Sequence, residues 1–267
     1  MNISKDFVNV YKEYLKKINS YKRTIKAVEN IKRKVEKKQL EATEEEISMI
    51  EKVELNEEDK FTCNKDKLYC FSNGDKYIGK IEKNELNGKG YYMVYDNSKV
   101  IMEYIGEFKN NLREGIGECK FENGNIYLGE FKDDLMDGIG QMIYSNGDEY
   151  IGEWKKGKKD GLGIFTWNDK VKYNGEFKNG KMHGEGLCFD QNGNLIYEGQ
   201  WKNNLIHGFG TYIWKEGKKY EGEFMHGKKH GNGTFYLDGE LIYEGTWKFD
   251  KPSVFGRSLD ELFYVKL

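Results

Sequence analysis

The sequence predicts a mainly β fold: an elongated, single-layer antiparallel meander of tandem β-hairpin repeats, with a helical N-terminal extension and a short C-terminal helix. Three observations predict it. A pattern of the form Tyr-x-Gly-x-aromatic, with Ile81 in the aromatic place of the first copy, recurs, led by Tyr77, Tyr104, Tyr127, Tyr150, Tyr173, Tyr197, Tyr220 and Tyr243, in steps of 27, 23, 23, 23, 24, 23 and 23 residues; a fixed period in this range marks a repeat architecture. A polar gap and a Gly-x-Gly pair follow each of the first seven tyrosines. Composition agrees: hydrophobic residues are 37% of the chain, below the ~45–50% of an ordinary globular domain, while 32 glycines and 15% aromatics suit a thin structure with many turns.

Residues 1–60 form a separate, helical segment. They contain no Gly and no Pro, and Phe7, Tyr11, Tyr14, Ile18, Tyr21, Ile25 and Val28 fall at alternating steps of four and three, the apolar stripe of an amphipathic helix. A helix over 4–40 would be ~55 Å long at 1.5 Å per residue. Thr43-Glu-Glu-Glu46 reads as a capping box for a second short helix, and residues 56–60 as a linker. The array occupies 61–256, and residues 257–267 form a capping helix, opened by a second capping box at Ser258-Leu-Asp-Glu261.

Within the array, extended chain alternates side chains between two faces. Tyr127, Gly129 and Phe131 share one face, as do Gly138, Gly140, Met142 and Tyr144 on the returning strand, with Asp133-Asp-Leu-Met-Asp137 as the bend between them. Asn-Gly is a strong two-residue hairpin signal because both positions need positive φ. The sequence therefore expects such turns at Asn73-Gly74, Asn123-Gly124, Asn146-Gly147, Asn192-Gly193 and Asp238-Gly239. Mid-strand glycine weakens a strand unless something packs closely over it. The expectation is an aromatic ring lying flat on bare backbone, with stability supplied by stacked neighbours.

The pattern Tyr150-x-Gly152-x-Trp154 with Gly161-x-Gly163, repeated seven times in full and begun an eighth time at Tyr243, resembles the MORN repeat (membrane occupation and recognition nexus). The resemblance spans roughly 68–256. It implies a gently twisted single-layer sheet and a role in binding or scaffolding, often near membranes or cytoskeletal structures. Departures are visible. The 27-residue step carries an insertion around 96–103, Asn168-Asp169-Lys170 lacks a turn glycine, and Asp190 stands where Phe121, Tyr144, Trp167 and Trp214 stand in other units.

Three surfaces are candidates for function. Phe108, Phe131, Trp154, Phe177, Trp201, Phe224 and Trp247 form a row with neighbours ~10 Å apart, two strand spacings. The row packs at least in part over glycine, and the same rings can also hold a partner's helix or peptide as aromatic anchors. On the opposite face, Ile105, Ile116, Leu128, Ile139, Ile151 and Leu162 form an apolar ridge that gives way to polar residues in later units; it suits docking of the N-terminal helix or of a partner. Lys155, Lys156, Lys158, Lys159, Lys228 and Lys229 line the bends, a basic edge able to meet anionic phospholipid. A homodimer through the N-terminal stripe is a further use.

Other classes find no support. With 43 basic and 45 acidic residues there is no global field for nucleic acid. Cys63, Cys70, Cys119 and Cys188 lack metal-ligand spacing and read as reduced thiols. No catalytic constellation, cofactor or metal site is expected; the Gly-x-Gly pairs precede strands, not the helices that phosphate loops need. The early charges of the N-terminus do not suit a signal peptide, and no apolar run reaches the ~20 residues of a membrane-spanning helix. The expected location is cytoplasmic, in association with cytoskeleton or membrane.

Overall fold

The computed structural model describes residues 68–253 and four upstream positions, Lys26, Glu29, Asn30 and Arg33, which are helical and exposed. The rest of the 1–60 segment, the linker, Cys63 and the 257–267 helix lie outside the described residues. The chain divides into two compact units, residues 1–158 and 159–267.

In the first unit, β1 (Leu68–Cys70), β2 (Lys76–Glu82), β3 (Glu85–Asp96), β4 (Lys99–Lys109), β5 (Leu112–Phe121), β6 (Ile126–Lys132), β7 (Leu135–Ile143) and β8 (Glu149–Lys155) pair in sequence order. The second unit does the same with β9 (Lys158–Thr166), β10 (Lys172–Lys178), β11 (Lys181–Phe189), β12 (Leu195–Lys202), β13 (Leu205–Ile213), β14 (Lys218–Met225), β15 (Lys228–Leu237), β16 (Glu240–Lys248) and β17 (Lys251–Pro252). All of these pairings are antiparallel, so each unit is the hairpin meander that the repeat period predicts.

The two kinds of turn are the reverse of the sequence expectation. At Asn146-Gly147 only the glycine has positive φ, at 88°. Gly147 N–H donates to Tyr144 O, and Tyr144 N–H to Asp148 O. This is a wider loop in which a type I turn is followed by one left-handed residue. Asn146 Oδ1 accepts from Asp148 N–H at 3.0 Å, so the Asn serves as an Asx turn. Asn73, Asn123 and Asn192 likewise lie outside the left-handed region, whereas Asp238-Gly239 follows the expectation, with φ of 51° and 85°. The tight two-residue turns are instead the polar bends, with both φ positive at Asn110-Asn111, Asp133-Asp134, Asn203-Asn204 and Phe249-Asp250. Where Asn168-Asp169-Lys170 lacks glycine, Lys170 takes the left-handed position at φ 72°. The insertion in the long step only lengthens β3 and β4, which close on Asn97-Ser98, again with both φ positive.

In place of a central core, each unit has a ladder of rings over glycine. Tyr77, Tyr104, Tyr127 and Tyr150 in the first unit, and Tyr173, Tyr197 and Tyr220 in the second, are fully buried. Tyr127 covers Gly129 and Gly140, which face each other across β6 and β7; a methyl group on either would sit well inside contact distance of the ring. The ladder then slips. After Gly129↔Gly140 the next pair is Phe131↔Met136, which leaves two extra residues on β7. This bulge puts Gly138 at φ 111° and releases the carbonyl of Glu130 to an unusual donor, the Tyr127 hydroxyl at 2.9 Å. The same bond, from each Tyr to the carbonyl three residues on, spans 2.9–3.2 Å at Tyr77, Tyr104, Tyr150, Tyr173, Tyr197, Tyr220 and Tyr243.

Two outcomes follow. Tyr127→Phe should cost about 1–3 kcal/mol, because it orphans a carbonyl under a buried ring. Gly140→Ala should cost about 1–3 kcal/mol through overpacking. Both would be read as shifts of the urea midpoint, and a Gly140→Ala chain as stable as wild type would refute the ring-over-glycine account. Burial also pushes the Tyr77 hydroxyl up to about 12, and raises Tyr104, Tyr127, Tyr197 and Tyr220 further. The folded chain thus holds these protons more tightly than the open chain, whose tyrosines titrate near about 10. Their contribution is complete below that value and is lost as pH rises through the folded one. Phenolate absorbance should therefore show the ladder tyrosines silent near pH 10 and then ionising together with unfolding.

Candidate functional site

The seven aromatics singled out by the repeat are placed on the tyrosine face. Six of them, Phe108, Phe131, Trp154, Phe177, Phe224 and Trp247, are no more than 6% exposed, while Trp201 is half-buried. Six of the seven wedge edge-on between tyrosines, and Phe177 meets Tyr173 edge-on at 5.2 Å. Phe131 meets Tyr104 and Tyr127 with centroids 5.1 Å away; Phe224 meets Tyr197 at 5.6 Å and Tyr220 at 5.1 Å. Such T-shaped pairs contribute ~0.5–1.5 kcal/mol each beyond burial. Trp154, Trp201 and Trp247 also donate their indole N–H to the carbonyls of Gly140, Gly186 and Gly233. The row packs over glycine, as one of the two sequence readings had it, and interlocks with the tyrosines besides.

Within each unit, long side chains cover these rings. Arg113 lies 5.7 Å from the Tyr104 ring and 5.3 Å from Phe131, and is held by Asp134 Oδ1 at 3.1 Å. Lys159 stands 4.4 Å from the Phe165 ring and 5.6 Å from Phe177. The Lys229 ammonium sits among Trp247, Trp214, Phe235 and Tyr220 at 4.6–5.8 Å, where burial lowers its basicity. Lys159 and Lys229 thus turn inward from the bend edge, whereas Lys155, Lys156, Lys158 and Lys228 remain exposed on it.

The aromatic surface that stays open lies one step toward the wide loops. Phe121 and Tyr144 in the first unit, and Trp167, Tyr212 and Trp214 in the second, are half-exposed. Tyr212 and Trp214 stack at 4.4 Å. Asp190 occupies the equivalent loop position, shown by the shared bonds Asp190 N–H to Asn194 O and Trp214 N–H to Lys218 O. Its buried carboxylate accepts from the Asn192 and Asn194 amides and lies 3.7 Å from Lys215. The sequence showed this row only as a place where aromatics recur.

The opposite face is a checkerboard rather than a continuous ridge. Strand register sets Glu118 between Ile105 and Leu128, and Gln141 between Leu128 and Ile151. In the next row Ile116 pairs with Glu130, and Ile139 with Glu153. Ile105, Ile116, Leu128, Ile139 and Ile151 are all half-buried, and so is Leu162 in the second unit. The acidic partners close the bulges. Glu130 Oε2 accepts from Ile139 N–H at 2.7 Å, Gln200 Oε1 from Phe209 N–H at 3.0 Å, and Glu223 Oε1 from Asn232 N–H at 2.9 Å. Their signal was in the sequence: Glu107, Glu130, Glu153, Glu176, Gln200 and Glu223 all stand three residues after a repeat tyrosine.

At the bends of the second unit, His183, Trp201, Lys202 and His207 line an open hollow of about 290 Å³, and the His207 ring is 5.7 Å from His226. The Cys119 and Cys188 thiols are pushed up by burial, which lowers their reactivity.

With this geometry in place, the comparisons fall into order. The family described as MORN repeat matches residues 104–126, 127–149, 150–171, 173–195, 197–219, 220–239 and 243–259, more than half of the chain. The chain belongs to the MORN-repeat family. The unit led by Tyr77, whose ring position is taken by Ile81, precedes those matches and has the same tyrosine bond. No curated protein sequence matches the chain. Among solved structures, one match is the SAS-4 (dCPAP) TCP domain in complex with a proline-rich motif of Ana2 (dSTIL) of Drosophila melanogaster, at 11% identity and TM-score 0.33, covering 67% of this chain and 83% of that one. Another is the TCP10 domain of Danio rerio CPAP in complex with a STIL peptide, at 10% identity and TM-score 0.29, covering 67% and 93%. Superpositions this loose carry no argument about the present chain.

The bulge acceptors can be tested directly. Glu130→Gln should leave stability within about 0.5 kcal/mol, since Gln200 does the same task with an amide oxygen. Glu130→Ala should cost about 1 kcal/mol or more by orphaning the Ile139 amide. Equal midpoints for the two variants in urea would refute the role.

Proposed function

We propose that the array is a non-catalytic scaffold that holds a segment of a partner protein, a helix or an extended peptide, on its aromatic face. One observation carries the proposal. Beyond the rings that the fold consumes, the tyrosine face of the second unit keeps Trp167, Trp201, Tyr212 and Trp214 half-exposed. Large aromatics with one open side are the residues that most often dominate protein interfaces. The repeat tyrosine hydroxyls and the bulge carboxylates are taken up in holding the sheet, and burial raises the Cys119 and Cys188 thiols, which leaves them poor nucleophiles.

The test is proximity labelling with the full chain in its native cell, followed by titration of the labelled partner. Trp214→Ala should weaken binding by about 2 kcal/mol, roughly 30-fold, in a chain that still unfolds cooperatively on heating well above the temperature of the binding assay. A partner held equally well by Trp167→Ala and Trp214→Ala chains would overturn the aromatic-face reading. Salt-sensitive binding to phosphatidylserine vesicles that vanishes on replacing Lys155, Lys156 and Lys158 by Gln would move the function to a membrane surface instead.

A further inference from the structure

On the face opposite the tyrosines, one residue is out of place. Gln141 is 2% exposed, although the strands of its unit supply no second layer on that side. Its counterparts at the same register position, Tyr91, Glu118, Ile164, Leu187, Thr211 and Thr234, are all half-buried. Gln141 donates to Glu149 through Nε2, while its buried carbonyl oxygen has no partner among the described residues. Met93, on the same face nearer the start of the array, is also buried, at 6%. The immediate neighbours of Gln141 are Leu128 and Ile151, with Ile139 two residues before it on β7. Burying an unpaired amide oxygen has a cost, and a side chain on the outer face of a single sheet is shut off from water at all only where something lies over it.

We infer that residues 21–35 of this same chain form that cover, as a helix laid across β4 to β8 with its apolar stripe on Ile105, Leu128 and Ile151. Four facts on this chain support the choice of occupant. The segment and the ridge fall in one compact unit, residues 1–158. Lys26, Glu29, Asn30 and Arg33 are helical and exposed; at 100° per residue they share one side of a helix, and a helix continued through them would carry Tyr21, Val28 and Val35 on the other. The charges are complementary: residues 1–40 contain twelve Lys and Arg against four Asp and Glu, and the ridge is set among Glu103, Glu118, Glu130 and Glu153. The length also fits. Crossing from β4 to β8 takes four strand spacings, ~19 Å, or about thirteen helical residues. The apolar character of the ridge thus marks where a second layer belongs, and its decline in later units marks where that layer stops.

Hydrogen exchange of the full chain, with solution mass measured alongside, tests this. Backbone amides of residues 21–35 should be protected in a monomer, and the protection should be lost in a Leu128→Glu, Ile151→Glu chain. A second readout avoids altering the sheet face so heavily. A Gln141→Cys thiol, followed site by site in a mass spectrometer, should react slowly with maleimide, and about tenfold faster or more once Ile25→Glu and Val28→Glu are added. Open-chain exchange of 21–35 in the wild type overturns the proposal, as does protection that survives the ridge substitutions. A mass of two chains, with protection lost on dilution, overturns it in favour of a second copy as the cover.

Discussion

A tyrosine hydroxyl donating to a carbonyl three residues along its own strand holds this architecture together. The bond requires the ring to lie flat, and a flat ring requires bare backbone beneath it, so the two glycines facing each other under each ring are obligatory. It also requires a free carbonyl, and the β-bulge beside the glycines supplies one. The bulge in turn leaves an amide exposed, and a glutamate or glutamine carboxamide accepts from it. Each part answers a need created by another. That closed set of needs explains why a chain with modest hydrophobic content stays folded: interlocked rings take the place of a central core.

Much of this was legible in the sequence. The period, the antiparallel meander, the Tyr-over-Gly packing and the shared face of Phe131 and Trp154 all follow from alternation in an extended chain. What stayed hidden depends on register, which no single strand reveals. Ile105 and Leu128 look like neighbours on a ridge until pairing inserts Glu118 between them. Trp154 looks available to a partner until tyrosines from two repeats close on it. Asn146-Gly147 reads as the tightest turn, yet its Asn prefers to cap its own loop, and the tight turn falls to Asp133-Asp134. There the left-handed backbone is forced by the two-residue gap rather than announced by glycine. Lys159 and Lys229 were read as edge residues because their neighbours Lys158 and Lys228 are; one position further along a strand, they face the rings.

The two faces consequently differ in how freely they vary. On the tyrosine face, every residue of the ladder is fixed by contacts to rings above and below it. Arg113 in the first unit, Lys159 and Lys229 in the second, the wide-loop aromatics of each unit and Asp190 show variation confined to the margins. On the opposite face the bulge acceptors are fixed by the amides they serve, and outside the apolar ridge of the first unit the remaining positions drift from isoleucine and leucine to glutamate and threonine. Recognition built on such an array can change partner by altering the margins without disturbing what makes it fold.

The long β3–β4 hairpin shows where the chain accepts extra length. From each repeat tyrosine to the second glycine of its Gly-x-Gly the interval is thirteen residues in all seven full repeats, while from that glycine to the next tyrosine it is ten, eleven or fourteen. Length added at a hairpin tip extends two paired strands and leaves the ladder in register. Length added inside the thirteen-residue interval would send the following side chains to the wrong face. A gene of this kind therefore has a grain. It tolerates duplication or loss of whole repeats and in-frame insertions at hairpin tips, and a single-codon deletion between a tyrosine and its paired glycine is the change it withstands least.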